Sequence, residues 1–300
     1  MHEETFIVEP MKDLPVNDAV LVVFVPGAGT SAYVKHIQVL KKLTHIACSY
    51  IVAGQMHIVS KCTHGVFDIE KSTWSQVETA LTVRKHAAAV YDGAGSIVIT
   101  GGVVTENNTT ISGDTVQQLD CTSHAVTELP RMNYRRDRHA CVLYRGAIMV
   151  IGGDVESTCE MLVEKGDKEK TKKWRLMHKL PFFAQGGALA AVVGDLICAV
   201  EPQVLFAYDK GKCIPTSPAI RAHVYDGDVW RTVTAFPQHT HDQLYPIGCV
   251  SFNDRLAVFT NDVEKAVLLD PATDEWSVHD LPCSGNNDGA YLSACKAISY

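Results

Sequence analysis

The chain has 300 residues, 46% of them hydrophobic and 20% charged, with a formal net charge of −7. That balance excludes disorder over most of the length and argues against a polyanion-binding protein. No run reaches the ~18 uninterrupted apolar residues of a membrane helix, since the nearest, 188–200, is broken by Asp195.

The first residues, Met1-His2-Glu3-Glu4, are acidic. They lack the basic and apolar segments of a secretory signal, so a cytoplasmic location is expected. The ten cysteines are scattered, mostly in apolar stretches such as 45–48 and 139–142, with no Cys-x-x-Cys pair. They read as reduced core thiols, with no disulfide framework, metal cluster or cofactor expected. Asn107-Asn108-Thr109 fits a glycosylation sequon and reads as a polar loop.

In chain order, 18–27 reads as a buried strand leading into Gly27-x-Gly29-x-x-Ala32. A dinucleotide loop would need an acidic residue ~20 positions on and alternating strands and helices. Neither follows, so the glycines read as an ordinary loop. Residues 33–40 are compatible with strand or helix.

From residue 45 a unit of about fifty residues recurs. Its clearest copy, 138–153, is a short strand, a turn at Arg145-Gly146, and a strand ending in Gly152-Gly153. A second copy, 85–102, ends in Gly101-Gly102, so the first glycines stand 152 − 101 = 51 residues apart. That copy reads with one extra turn residue, and His86 and His139 read as occupying the same place in the two copies. Repetition at that place points to packing and to a hydrogen bond at the start of the strand. The glycine pair is replaced by Ser60-Lys61, Glu201-Pro202 and Thr260-Asn261 in the other copies. Trp74, Trp174, Trp230 and Trp276 mark the same period, with Val126 in the remaining place. Aspartate-led turns precede most of them, and Pro130, Pro181, Pro237 and Pro282 follow. Each unit reads as four strands, with Gly-Gly after the second and Trp in the fourth. The charged run 164–173 falls at the hairpin between the two outer strands and reads as a solvated turn.

Four strands per ~50 residues with these marks resemble the Kelch-repeat family along nearly the whole chain. The resemblance implies an all-β fold: one six-bladed β-propeller of four-stranded antiparallel blades over 1–300. Its blades fall at about 45–82, 83–132, 133–182, 183–237 and 238–284. The sixth is expected from 1–44 plus 285–300, the C-terminal strand closing the ring and covering an exposed sheet edge.

The resemblance also implies a ligand face built from the starts of the inner strands and from the loops after the glycine pairs. Those positions give Lys85, Arg136, Arg138, Asp154, Gln185, Gln203, Tyr245 and Asp262 as binding residues. Lys85, Arg136 and Arg138 suggest a basic patch for an acidic peptide, because guanidinium pairs with carboxylate bidentately. No Gly-x-Ser-x-Gly nucleophile turn is present, and His239-Thr240-His241-Asp242 lacks obvious further metal ligands. The expected function is protein–protein recognition by a monomeric, non-enzymatic scaffold or substrate-recognition propeller related to ubiquitin-ligase adaptors. No nucleic-acid or membrane partner is expected. The alternatives are a sugar-modifying propeller enzyme similar to sialic-acid epimerases, and association with actin.

Overall fold

The computed structural model describes residues 20–24, 32–36 and 48–280, except 53–54, 61–62, 69–70, 72, 83, 107–108, 154–155, 165–170, 183, 185–186, 202–205, 210–211, 216–219, 237–245 and 261–264. Over these residues the chain is all-β, with five four-stranded antiparallel sheets arranged as a propeller. The sheets span 48–78, 88–129, 140–177, 189–232 and 246–280, and each follows the expected unit. The first strands of successive sheets lie side by side in order, from Cys48–Val52 through Ala88–Tyr91, Ala140–Tyr144 and Leu189–Val193 to Pro246–Phe252. That sequence of inner strands is what turns a row of sheets into a propeller.

The registers confirm how the marks align. Phe67 pairs with Trp74, Leu119 with Val126, Leu162 with Trp174, Tyr225 with Trp230 and Leu269 with Trp276. Val126 therefore does occupy the tryptophan position of the second sheet. The indoles also tie each sheet to the end of the one before it. Trp174, Trp230 and Trp276 donate Nε1–H to the carbonyls of Pro130, His178 and Thr234, at 2.7, 3.2 and 2.6 Å. An amphipathic ring suits this place, since its apolar body fills the wedge while its N–H finds an acceptor.

Apolar clusters fill the spaces between neighbouring sheets. Met149, Ile151 and Cys159 of the third sheet pack on Ile197, Ala199 and Tyr225 of the fourth. Cys198, Val200 and Ala222 of the fourth pack on Leu256, Val258 and Val267 of the fifth. Each of the larger aliphatic side chains among them contributes roughly 1.5–3 kcal/mol by leaving water. Cys141, Cys159, Cys198 and Cys249 are buried in these clusters, as small hydrophobes are.

The glycine pairs sit where successive segments cross. Gly153 has φ +78°, and a Cβ there would lie 2.5 Å from the Asp137 carbonyl and 2.6 Å from the His139 Cβ. Glycine adopts that backbone without strain and leaves that space.

Three details go beyond the sequence reading. Hairpins are inserted between the second and third strands of two sheets: Val103–Glu106 with Thr109–Ser112, and Phe206–Asp209 with Lys212–Pro215. Glu164 pairs with Lys172, which places the charged run at the expected outer hairpin. Val20–Phe24 pairs antiparallel with Ala32–His36, so a strand stands where a dinucleotide fold would need a helix. The C-terminal strand expected within 289–298 lies outside the described residues.

Candidate functional site

The starts of the inner strands share an unusual backbone. His86, Arg138 and Gly187 have φ of 62°, 52° and 127°. They are equivalent positions, because Ala88, Ala140 and Leu189 open the paired registers that end at Thr100, Ile151 and Val200. The His86 carbonyl accepts the Arg138 N–H, and the Arg138 carbonyl accepts the Ala188 N–H, both at 2.9 Å. These bonds run from blade to blade along the inner rim and leave the side chains outside.

Lys85, His86 and Arg138 are exposed on that rim. Lys85 is fixed through its carbonyl, which accepts the Val103 N–H at 2.8 Å and joins it to the inserted hairpin. Arg138 Nε lies 4.0 Å from Asp137 Oδ1, with half of the arginine side chain in solvent. Asp137 Oδ2 accepts the Ser112 hydroxyl at 2.6 Å. Partial burial lowers the His86 pKa first, and the Arg138 and Lys85 charges lower it further. His86 is therefore a neutral polar group between two cations near pH 7.

Arg136 corrects the expected patch. It is fully buried and serves the protein itself. Nη1 donates to the carbonyls of Gly152 and Thr158 at 2.7 and 3.0 Å, while Nη2 reaches Glu160 Oε1 at 2.5 Å. Glu160, also buried, accepts the backbone N–H groups of Asn133 and Tyr134 at 2.8 and 3.1 Å. Two buried charges are tolerable because nearly every polar atom is matched. Arg84 has the equivalent role in the preceding sheet, donating to the Gly101 carbonyl at 3.0 Å. The pattern was present in the sequence, with an arginine 16 or 17 residues before each glycine pair. What hid it is that a strut and a surface cation are the same residue type.

The structure also moves the histidine alignment by one residue. His86 corresponds to Arg138, and His139 to Ala87. The turn of the second sheet holds the one extra residue expected, since Ala88 pairs with Thr100, 100 − 88 = 12 positions on, and Ala140 with Ile151, 151 − 140 = 11 positions on. Since strand side chains alternate, a shift of one changes face. His139 is buried and its Nε2 meets the Thr100 hydroxyl at 2.7 Å, whereas His86 is exposed. The expected hydrogen bond at the strand start holds for His139 alone. Asp154, Gln185, Gln203, Tyr245 and Asp262, like His239–Asp242, lie outside the described residues.

A second polar cluster was missed altogether. His57 and His64 of the first sheet face Cys121 and His124 of the second. His57 Nδ1 stands 2.9 Å from His64 Nε2, and His64 Nδ1 stands 3.0 Å from His124 Nδ1. Burial and the neighbouring imidazoles lower the His64 pKa to about 4 and also lower that of His57. Burial pushes the Cys121 thiol up to about 11. Nothing in the local sequence joins residues 57, 64, 121 and 124, because the packing of two sheets makes the cluster.

No protein-family model matches the chain, and no curated protein matches it. The architecture is that of a β-propeller, reached here through strand order and register.

Proposed function

We propose that the chain is a six-bladed propeller of Kelch type, spanning 1–300 and closed by a strand from 285–300 joining the N-terminal segment. In this reading it recognises proteins, as a scaffold or substrate-recognition ring of the kind found in ubiquitin-ligase adaptors, and carries out no chemical step. It works as a cytoplasmic monomer, and its ligand is an acidic peptide lying across the rim at Lys85, His86 and Arg138. One observation carries the reading. Three neighbouring rim residues present cationic or polar side chains while their backbones are held by hydrogen bonds, His86 and Arg138 from blade to blade and Lys85 to the inserted hairpin of its own blade. A preformed rim loses little conformational entropy on binding, which favours recognition by few contacts. Asp137 beside Arg138 selects for ligands whose carboxylates compete well for the guanidinium. Aligned charges of this kind raise association rates and specificity, with strong dependence on salt.

The test is affinity capture from cytosol with the wild-type chain and with a Lys85→Glu/Arg138→Glu variant, each shown to be folded by its melting curve. The reading expects acidic partners to be lost from the variant and eluted from the wild type by moderate salt. An identical set of captured proteins would rule it out.

A further inference from the structure

The interface between the first and second sheets differs in chemistry from its equivalents. The registers make His57 the counterpart of Val98, Met149, Cys198 and Ala257. They make His64 the counterpart of Val116, Cys159, Ala222 and Ala266. All eight of those residues are buried, and all are apolar or thiol side chains. Among the described sheets only the first puts imidazoles there, at 4% and 0% exposure. Two polar rings placed where the fold elsewhere packs hydrocarbon need a chemical reason, since a buried polar group costs about 1–3 kcal/mol unless matched.

The facing turn is also distinctive. Cys121 and His124 stand where the fifth sheet has Pro271 and Asp274. There Arg231 of the fourth sheet donates to the Pro271 carbonyl and to Asp274 Oδ1. Between the first two sheets, imidazole and thiol replace that charged contact. The turn is rigid. Asp120 Oδ1 accepts the N–H groups of Thr122 and Ser123 and the Ser123 hydroxyl at 3.0, 2.6 and 2.8 Å. The His124 N–H donates to the Asp120 carbonyl at 3.0 Å, and the Cys121 N–H to Gly95 at 2.9 Å. His124 takes the left-handed backbone, φ 58°, that Asp274 takes in the fifth sheet at 61°.

We propose that His57, His64 and Cys121 bind one borderline-soft transition-metal cation, with Zn²⁺ as the best match, across the interface of the first and second sheets. One ligand atom from each of the three lies within 4.8 Å of the others. Tetrahedral zinc with Zn–N bonds of 2.0–2.1 Å spaces two nitrogens roughly 3.3 Å apart. The His57 Nδ1 to His64 Nε2 separation of 2.9 Å must open by only a few tenths of an ångström. Zinc–thiolate bonds of ~2.3 Å ask for roughly 3.6 Å between sulfur and nitrogen, against a present separation of at most 4.8 Å. Two imidazoles and a thiolate select zinc-like cations over magnesium or calcium, which favour oxygen. His124 completes the arrangement from outside. Its Nδ1 faces the other ring nitrogen of His64, the place where metal-binding histidines ordinarily find a hydrogen-bond partner that fixes ring and tautomer. With three protein ligands the fourth position falls to water. The cation clamps two sheets together where the other interfaces use apolar packing.

The full-length chain, stripped with chelator, is titrated with Co²⁺ and then Zn²⁺. Binding of one equivalent is expected, with a thiolate-to-cobalt charge-transfer band and a metal-dependent rise in melting temperature. Cys121→Ser, on an exposed turn that keeps its Asp120 bonds, should lose the band and weaken binding at least tenfold while melting normally without metal. His57→Asn should weaken binding similarly, and His178→Gln, on an exposed position elsewhere, should leave it unchanged. Absence of stoichiometric binding by the wild type, or an unaltered band in Cys121→Ser, overturns the proposal.

Discussion

The third and fourth sheets meet through methionine, isoleucine, cysteine, alanine and tyrosine, whereas the first and second meet partly through three histidines and a cysteine. The backbone frame is the same in both places, with matching registers and matching turns. A repeat fold requires from each interface only that the facing surfaces fill space and leave no polar atom without a partner. Hydrocarbon meets that requirement passively. An imidazole chain meets it only while each ring keeps the right neighbour and the right proton, so this region responds to its surroundings and the packed one does not.

Exchanging the two chemistries gives the largest expected effect. Met149→His sets a single imidazole into the apolar interface without the partners that His57 has. The loss of packing and the unmatched polar group should cost about 3–5 kcal/mol in urea unfolding. The reverse exchange, His57→Met with His64→Cys, installs what the third sheet holds. Replacing both partners by apolar groups is near neutral, so its stability at pH 8 without metal should stay within ~1.5 kcal/mol of the wild type. A severe loss in the reverse exchange would show that the two interfaces are not interchangeable frames.

Acid sensitivity comes next. In the metal-free chain His64 is held neutral in the folded state down to about pH 4, while in the unfolded state it takes up a proton near pH 6.5. Unfolding therefore binds protons in that window, and stability falls as the pH drops from 6.5 toward 4. The slope is up to about 1.4 kcal/mol per pH unit for each such histidine. The contribution is fully present above pH 6.5. In the His57→Met/His64→Cys chain this component of the slope should vanish, and an unchanged slope would place the acid sensitivity elsewhere.

The smallest effect concerns what the two regions share. Trp276→Phe keeps an aromatic body in the outer wedge and removes the N–H that reaches the Thr234 carbonyl. The expected loss is about 1 kcal/mol, the ordinary net value of one such bond. A loss no larger than ~0.2 kcal/mol would mean that the wedge alone, and not the indole hydrogen bond, matters at the outer strands.

The repeat was legible in the sequence because it is periodic. The Gly-Gly pairs, the tryptophans, the valine substituting for one of them and the degenerate pairs at 60, 201 and 260 all align with the strand registers. The same period pointed to the starts of the inner strands, though the registers set Arg138 opposite His86 and not Lys85. Arg136 was misplaced because burial is not a property of residue type: 0% exposure for an arginine depends on Glu160, Thr158 and the Gly152 carbonyl converging from a folded sheet.

By itself the sequence determined that the chain is built from four-stranded units of about fifty residues, because strand period, turn glycine and wedge tryptophan are local demands that each copy must meet on its own. Tertiary structure alone decided which polar residues face outward and which face one another. His86 and His139 changed places by one residue of register, Arg136 went from ligand candidate to strut, and His57, His64, Cys121 and His124 came together across two sheets. Those outcomes depend on distances between chain segments far apart in sequence, and only the packing of one sheet on the next sets such distances.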